Sequence, residues 1–167
     1  ASPPAPADVQ PTTTDQGKTV PFIVERVTGT ANRGIYQFAL LVDPTKPVSP
    51  WTEQPWNHKY VNTFGGACGV NYQQPTVGNV LSGQNVSLIG RGFAVGTSSL
   101  NTYGNQCNDI VSAEALMMTK EILTERHGRI RYSIGTGASA GTMQQHLITE
   151  AYPGLLDGIT TSLLYED

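Results

Sequence analysis

Apolar residues recur along this chain at two spacings, and the alternation between the two is its main structural signal. Residues 20–27 and 36–42 carry the two-residue period of strands, the second run turning fully apolar, with residues 29–34 as the hairpin connection. Residues 60–64 form a short strand that stops at Gly65-Gly66, and residues 77–82 fit either a short helix or a loop. Residues 86–95 read as a strand interrupted by Gly90 and Gly92. Helical spacing takes over at residues 110–127, where Val111, Ala115, Leu116, Ile122 and Leu123 repeat, Asp109 offers a cap and Gly128 a stop. A strand at 130–134, a helix at 142–152 ending at Pro153-Gly154 and a strand at 158–164 complete the series. Strands alternating with helices predict βαβ units in a parallel sheet, here preceded by an antiparallel edge. The fold class is α/β.

Composition narrows this picture. With 38% hydrophobic residues, a chain of 167 residues can build one core. Residues 1–19, rich in Pro and Thr, hold little that packs; they are expected to be the flexible leader of an exported chain, with residues 20–167 as the folded part. The low charged fraction and the abundance of Gly, Pro, Ser, Thr and Asn fit a secreted or periplasmic protein. A net charge of -3 with scattered signs leaves no basic face for nucleic acid and no basic amphipathic stretch for a membrane surface. No run approaches the roughly 18 apolar residues of a membrane span. Cys68 and Cys107 lack metal-ligand spacing. A disulfide between them would close a loop of about 40 residues and contribute about 4 kcal/mol in the chain-entropy model. The alternative is two buried thiols behaving as small apolar side chains; the exported setting favours the bond.

The chemistry centres on Gly137-Ala138-Ser139-Ala140-Gly141, between a strand and a helix. In that context a serine on a sharp turn is a nucleophile signal of the α/β-hydrolase fold, the nucleophile elbow. The alternative is a glycine-rich turn in which Ser139 merely caps the helix. An activated serine needs dipoles for the developing oxyanion and a base for its proton. The amide after the nucleophile, Ala140, is one candidate donor, and Phe64-Gly65-Gly66-Ala67-Cys68-Gly69 fits the loop that gives the other, from Gly66 or Ala67. The base is harder to find. His146 follows Ser139 by two helical turns, about 10 Å of rise, on a helix leaving the site. His127 reads as a partner for a helix C-terminus and His58 as a loop residue. Glu166 and Asp167 are candidates for the acid, against the reading that they are a solvated chain end. The chain is therefore expected to be the N-terminal portion of an α/β-hydrolase domain, incomplete without a C-terminal segment or second chain that supplies the histidine and the acid. No metal or organic cofactor is implied.

The segments Gly92-Phe93-Ala94-Val95 with Ser99-Leu100-Asn101, Gly104-Asn105-Gln106-Cys107-Asn108-Asp109, the Ser139 pentapeptide, and Tyr152-Pro153-Gly154-Leu155-Leu156-Asp157-Gly158-Ile159 resemble a family of exported bacterial α/β-hydrolases. The Ser139 segment and the stretch after Tyr152 are also similar to tannases and feruloyl esterases, which cleave esters of phenolic acids. This resemblance implies Ser139 as nucleophile and residues 64–69 as oxyanion support. The expected activity is hydrolysis of a small-molecule or oligomeric carboxylic ester through an acyl-serine. Alternatives are an amidase or a polyester depolymerase with the same nucleophile, and a noncatalytic binding domain of the same fold. Trp51, Trp56, Tyr72 and Tyr103 are candidates to line an aromatic cleft, against the reading that they cover the core.

Overall fold

Alternate residues of one strand feed two separate cores. The computed structural model describes residues 8–71 and 76–164, and in it β4 (Gly34–Leu41) sends Tyr36, Phe38 and Leu40 to one side and Ala39 and Leu41 to the other. Such a strand has to be covered on both faces, which accounts for the fully apolar run in the sequence. A pleat of period two thereby sets a three-layer architecture.

The main sheet has six strands in the order β3 (Val24–Ala31), β4, β6 (Ala94–Ser98), β5 (Lys59–Phe64), β7 (Tyr132–Ala138) and β8 (Gly158–Ser162). The β3–β4 and β4–β6 pairs are antiparallel; β6, β5, β7 and β8 run parallel. Helices α2 (Asp109–His127) and α3 (Ala140–Ala151) cover one face, where Leu116, Leu123 and Ile148 meet Phe38, Tyr60 and Phe64. Helix α1 (Gln84–Gly90) covers β4 and β6 on the other, where Ile89 packs with Val61, Val95 and Phe93. Along the same face β5, β7 and β8 are less covered, and a cavity of about 520 Å³ opens there, lined among others by Val61, Thr63, Ile134, Thr136 and Thr160.

Several boundaries depart from the sequence reading. The stretch 86–95 is not one strand: it is α1 followed by β6. Gly90 ends the helix, and Gly92, at φ 95°, turns the chain into the strand. A short apolar run fits either period, and here covering the sheet won over extending it. Residues 20–27 are likewise divided. Thr19–Pro21 (β2) pairs with Pro11–Thr13 (β1), so part of the Pro/Thr-rich stretch read as leader is a small hairpin, and β3 begins only at Val24. The hairpin connection is two residues, not six: Asn32 and Arg33 both have positive φ, the twist-matched turn of tight hairpins, and Gly29 lies inside the strand opposite Tyr36. Asn108 rather than Asp109 caps α2, its side chain accepting from the Val111 amide at 3.1 Å. Strand β7 runs four residues past the expected 134, up to the serine itself.

Candidate active site around Ser139

Ser139 joins β7 to α3 at φ 58° and ψ -129°, a conformation that costs a non-glycine residue of order 1–3 kcal/mol and survives only where its surroundings enforce it. Those surroundings are explicit. A Cβ on Gly137 would stand 2.7 Å from the Phe64 carbonyl oxygen, and one on Gly141 would stand 2.6 Å from the same atom. Both glycines of the pentapeptide are therefore required by close approach to the end of β5. The Ser139 amide donates to the Ser162 carbonyl at 3.2 Å, and the Thr142 hydroxyl bonds that carbonyl at 2.9 Å, tying the turn to the end of β8.

The glycine loop arrives from β5. A Cβ on Gly66 would lie 3.4 Å from Ser139 Cβ and 3.7 Å from its Oγ, so this residue is directly beside the serine. Among the described residues no acceptor meets the Gly66 or the Ala67 N–H. Ala140, buried, is the first residue of α3, where helical amides have no partner within the helix. The structure thus brings Ser139, Ala140 and Gly66 together, with Ala67 next in the chain at φ 63°.

A backbone zipper holds the loop in place. Gly65 donates to Asn101, Gly104 to Gly66, and Gly69 to Tyr103, each at 2.8 Å, while Asn71 donates to Asn105 at 3.0 Å. Cys68 and Cys107 are bonded across it with their Cα atoms 5.1 Å apart. Beneath the loop, Gln144 of α3 donates to the Gly65 carbonyl at 2.8 Å. This residue went unmarked in the sequence, although its signal was there: it stands four positions after Ala140 and four before Ile148, on one buried helix face where an apolar residue is expected.

None of the three histidines accompanies Ser139. His58 and His127 lie where the parallel strands begin, about one strand length (~20 Å) from the site. His58 interacts through Nδ1 with the Arg129 carbonyl at 3.0 Å and packs against Trp56. His127, in the last turn of α2, is 1% exposed, with Nε2 3.1 Å from a Glu25 carboxylate oxygen but not aligned for a hydrogen bond. Burial pushes its pKa below the usual imidazole range, against the opposing pull of Glu25. His146 is exposed on α3. Glu166, Asp167 and Tyr72 lie outside the described residues.

Of the aromatic candidates among the described residues, the two tryptophans lie away from the serine. Trp51, 92% exposed, sits on the loop between β4 and β5 at the far end of the sheet. Trp56 is buried there with its indole N–H on the Lys59 carbonyl, and Tyr103 is buried with its hydroxyl on Asp109. Among the described residues no group of three or more His, Cys, Asp or Glu side chains could hold a metal ion. No helix among them is long and apolar enough to cross a membrane.

Among curated proteins nothing matches this chain. Among solved structures, it superposes with a TM-score of 0.53 on a candidate dipeptidyl aminopeptidase IV from Bacteroides ovatus ATCC 8483, at 14% identity over 90% of this chain and 26% of that one. It is also similar to an esterase B from Lactobacillus rhamnosis (TM-score 0.47, 16% identity, 75% of this chain and 39% of that one). A further similar structure is oligopeptidase B from Trypanosoma brucei (0.48, 13%, 87% and 21%). The chain thus spans well under half the length of each. The strand order, the sharp serine turn and the superposition identify the α/β-hydrolase fold. Within that fold, residues 1–167 match one family along their whole length, and the chain belongs to it: the tannase-like family of unknown function (DUF6351).

Proposed function

We propose that this chain is the nucleophile-bearing part of a serine hydrolase that cleaves carboxylic esters through an acyl-serine intermediate. The observation that carries this reading is Ser139 at φ 58° and ψ -129°, with Gly66 packed against its side chain. A turn this strained keeps the serine at the tip of the strand, whereas a serine that merely capped the helix would need no such backbone. Its side chain makes no capping bond to α3.

In the proposed reaction a histidine takes the Ser139 proton while Oγ attacks the ester carbonyl. The amides of Ala140 and of Gly66 or Ala67 hold the tetrahedral oxyanion. The alcohol departs with the proton, and water then releases the acid and regenerates the serine. With His58, His127 and His146 all away from Ser139, the base is assigned to a further segment of the polypeptide or to a second chain. The acid is assigned to Glu166 or Asp167 or to that same segment. The part-covered face of β5, β7 and β8 supports this assignment, because parallel strands are ordinarily covered on both sides. The Cys68–Cys107 bond supports an oxidising, exported setting.

The tannase-like family favours an ester over an amide. An amidase or an oligomer depolymerase uses the same nucleophile on another leaving group, and a panel of activated esters, phenolic esters and anilides separates them. A noncatalytic binding domain of the same fold is the rival, favoured by the distance of the histidines. Labelling of the intact protein with a fluorophosphonate decides: Ser139 is expected to react, with Ser139→Ala abolishing both label and ester turnover. An unlabelled serine with turnover intact in Ser139→Ala would refute the proposal.

A further inference from the structure

Five buried polar side chains run in one chain from the middle of β5 to the glycine loop. The Tyr60 hydroxyl donates to Asn62 Oδ1 at 2.8 Å, and Asn62 Nδ2 donates to Asn101 Oδ1 at 3.3 Å. Asn101 Nδ2 donates to the carbonyl of Ser112 at 2.8 Å and to its Oγ at 3.0 Å. Ser112 Oγ donates to Gln144 Oε1 at 2.8 Å, and Gln144 Nε2 donates to the Gly65 carbonyl at 2.8 Å. All five side chains are 0% exposed. The carbonyls of Ser112 and Gly65 can only accept, so they orient the Asn101 and Gln144 amides and with them the sense of the whole chain. Polar groups enter an apolar layer without penalty only when each is satisfied, and here every link leads to the next. The last link falls on a single peptide, Gly65–Gly66.

In a trans peptide the carbonyl and the following N–H point in opposite directions from one plane. Gln144 and the Tyr103 amide, the latter at 3.2 Å, hold the Gly65 oxygen from one side. The direction of the Gly66 N–H is thereby fixed, and Gly66 is the residue packed on Ser139. Gln144 also stands one helical turn after Ala140, the other candidate donor. One rigid helix therefore carries one oxyanion amide and grips the peptide that carries the second.

We infer that Gln144 is a positioning residue, which sets the separation and direction of the Ala140 and Gly66 amides at the oxyanion; this rests on the serine-hydrolase reading above. It touches no substrate. Its effect belongs to the transition state, because donors fixed at the oxyanion position matter most when charge develops there.

The test uses the intact protein with an activated ester and a trifluoromethyl ketone that mimics the tetrahedral adduct. Gln144→Met keeps the length of the side chain and removes both bonds. It is expected to lower kcat by about tenfold to a hundredfold, with KM within about twofold, the scale of a misplaced reacting group. Affinity for the ketone should fall by the same factor as kcat/KM. Thr119→Val, which removes an equally buried hydroxyl in α2 bonded only to the Ala115 carbonyl, is expected to alter stability but not kcat. Should Gln144→Met not fold, Ser112→Ala, which frees the far end of Gln144, decides through a smaller loss of the same kind. Unchanged kcat and ketone affinity in whichever of these variants folds overturns the inference while leaving Ser139 as nucleophile. Full activity in Ser139→Ala overturns the underlying reading instead.

Discussion

Replacing Gly141 by alanine separates the demands of the helix from those of the site. Gly141 is the second residue of α3, where alanine is the better helix former by about 1 kcal/mol. Local propensity alone predicts stabilisation. The added Cβ, however, would stand 2.6 Å from the Phe64 carbonyl oxygen and 3.1 Å from its carbon, both backbone atoms that no rotamer change can move. The oxygen contact is 0.8 Å short of the 3.4 Å at which ordinary contact begins, so α3 must move off the end of β5 by most of that distance. Overpacking of this kind costs about 1–3 kcal/mol, which leaves a net destabilisation of about 0–2 kcal/mol after the propensity gain. For a chain of this size that is a fall in Tm of only a few degrees, about 2–4 °C per kcal/mol. The displacement carries Ser139 and the Ala140 amide away from Gly66, and misplacement on the order of 1 Å costs about a hundredfold in rate. Thermal denaturation and steady-state hydrolysis of an activated ester, measured on the same preparation of the intact protein, should therefore disagree: near-native Tm, kcat down at least about tenfold. A variant with raised Tm and unchanged kcat would refute the reasoning, because it would mean that the contact with Phe64 does not fix the serine turn.

Two further predictions concern stability. Replacing both Cys68 and Cys107 by serine opens a loop spanning 39 positions and should lower stability by about 4 kcal/mol, read from denaturant unfolding; a change below about 1 kcal/mol would contradict the chain-entropy account. His127 has a folded-state pKa pushed down by burial, partly offset by Glu25 and reinforced by Arg126, so between that value and the unfolded value near 6.5 the unfolded chain binds the extra proton. Its contribution is therefore fully present above about pH 6.5 and lost as pH falls through the folded value. The Tm difference between pH 7.5 and pH 5 should be smaller in His127→Gln than in the parent, and an equal difference would refute this assignment.

The serine motif and the glycine loop were legible because their requirements are local. A tight turn needs small neighbours on either side of Ser139, and a glycine pair after a strand can expose amides, so residue type and order suffice. Helix α2 was legible for the same reason, through a periodic face between a cap and Gly128. Where two periods fitted one short run, as at 86–95, sequence had no means of choosing, since the choice between α1 and a strand depended on which sheet face needed cover. The tryptophans mislead for a related reason: Trp51 and Trp56 are near β5 in sequence, but they fall at its beginning while Ser139 stands where the parallel strands end.

What the sequence determined by itself was the nucleophile candidate, the alternation of strands and helices, and the scarcity of a base among three histidines; all follow from residue identity and short-range spacing. What only the tertiary structure decided was which groups meet. Parallel strands drawn from positions 59–64, 132–138 and 158–162 bring Gly66, Ser139 and Ser162 together at the C-terminal ends of the strands, while the disulfide and Gln144 join segments dozens of residues apart. Register in a sheet is a relation between distant strands, and the direction of the Gly66 amide is set by a hydrogen bond from a side chain 79 residues from Gly65. Neither quantity has a local signature, because each is fixed by packing that exists only once the chain has folded.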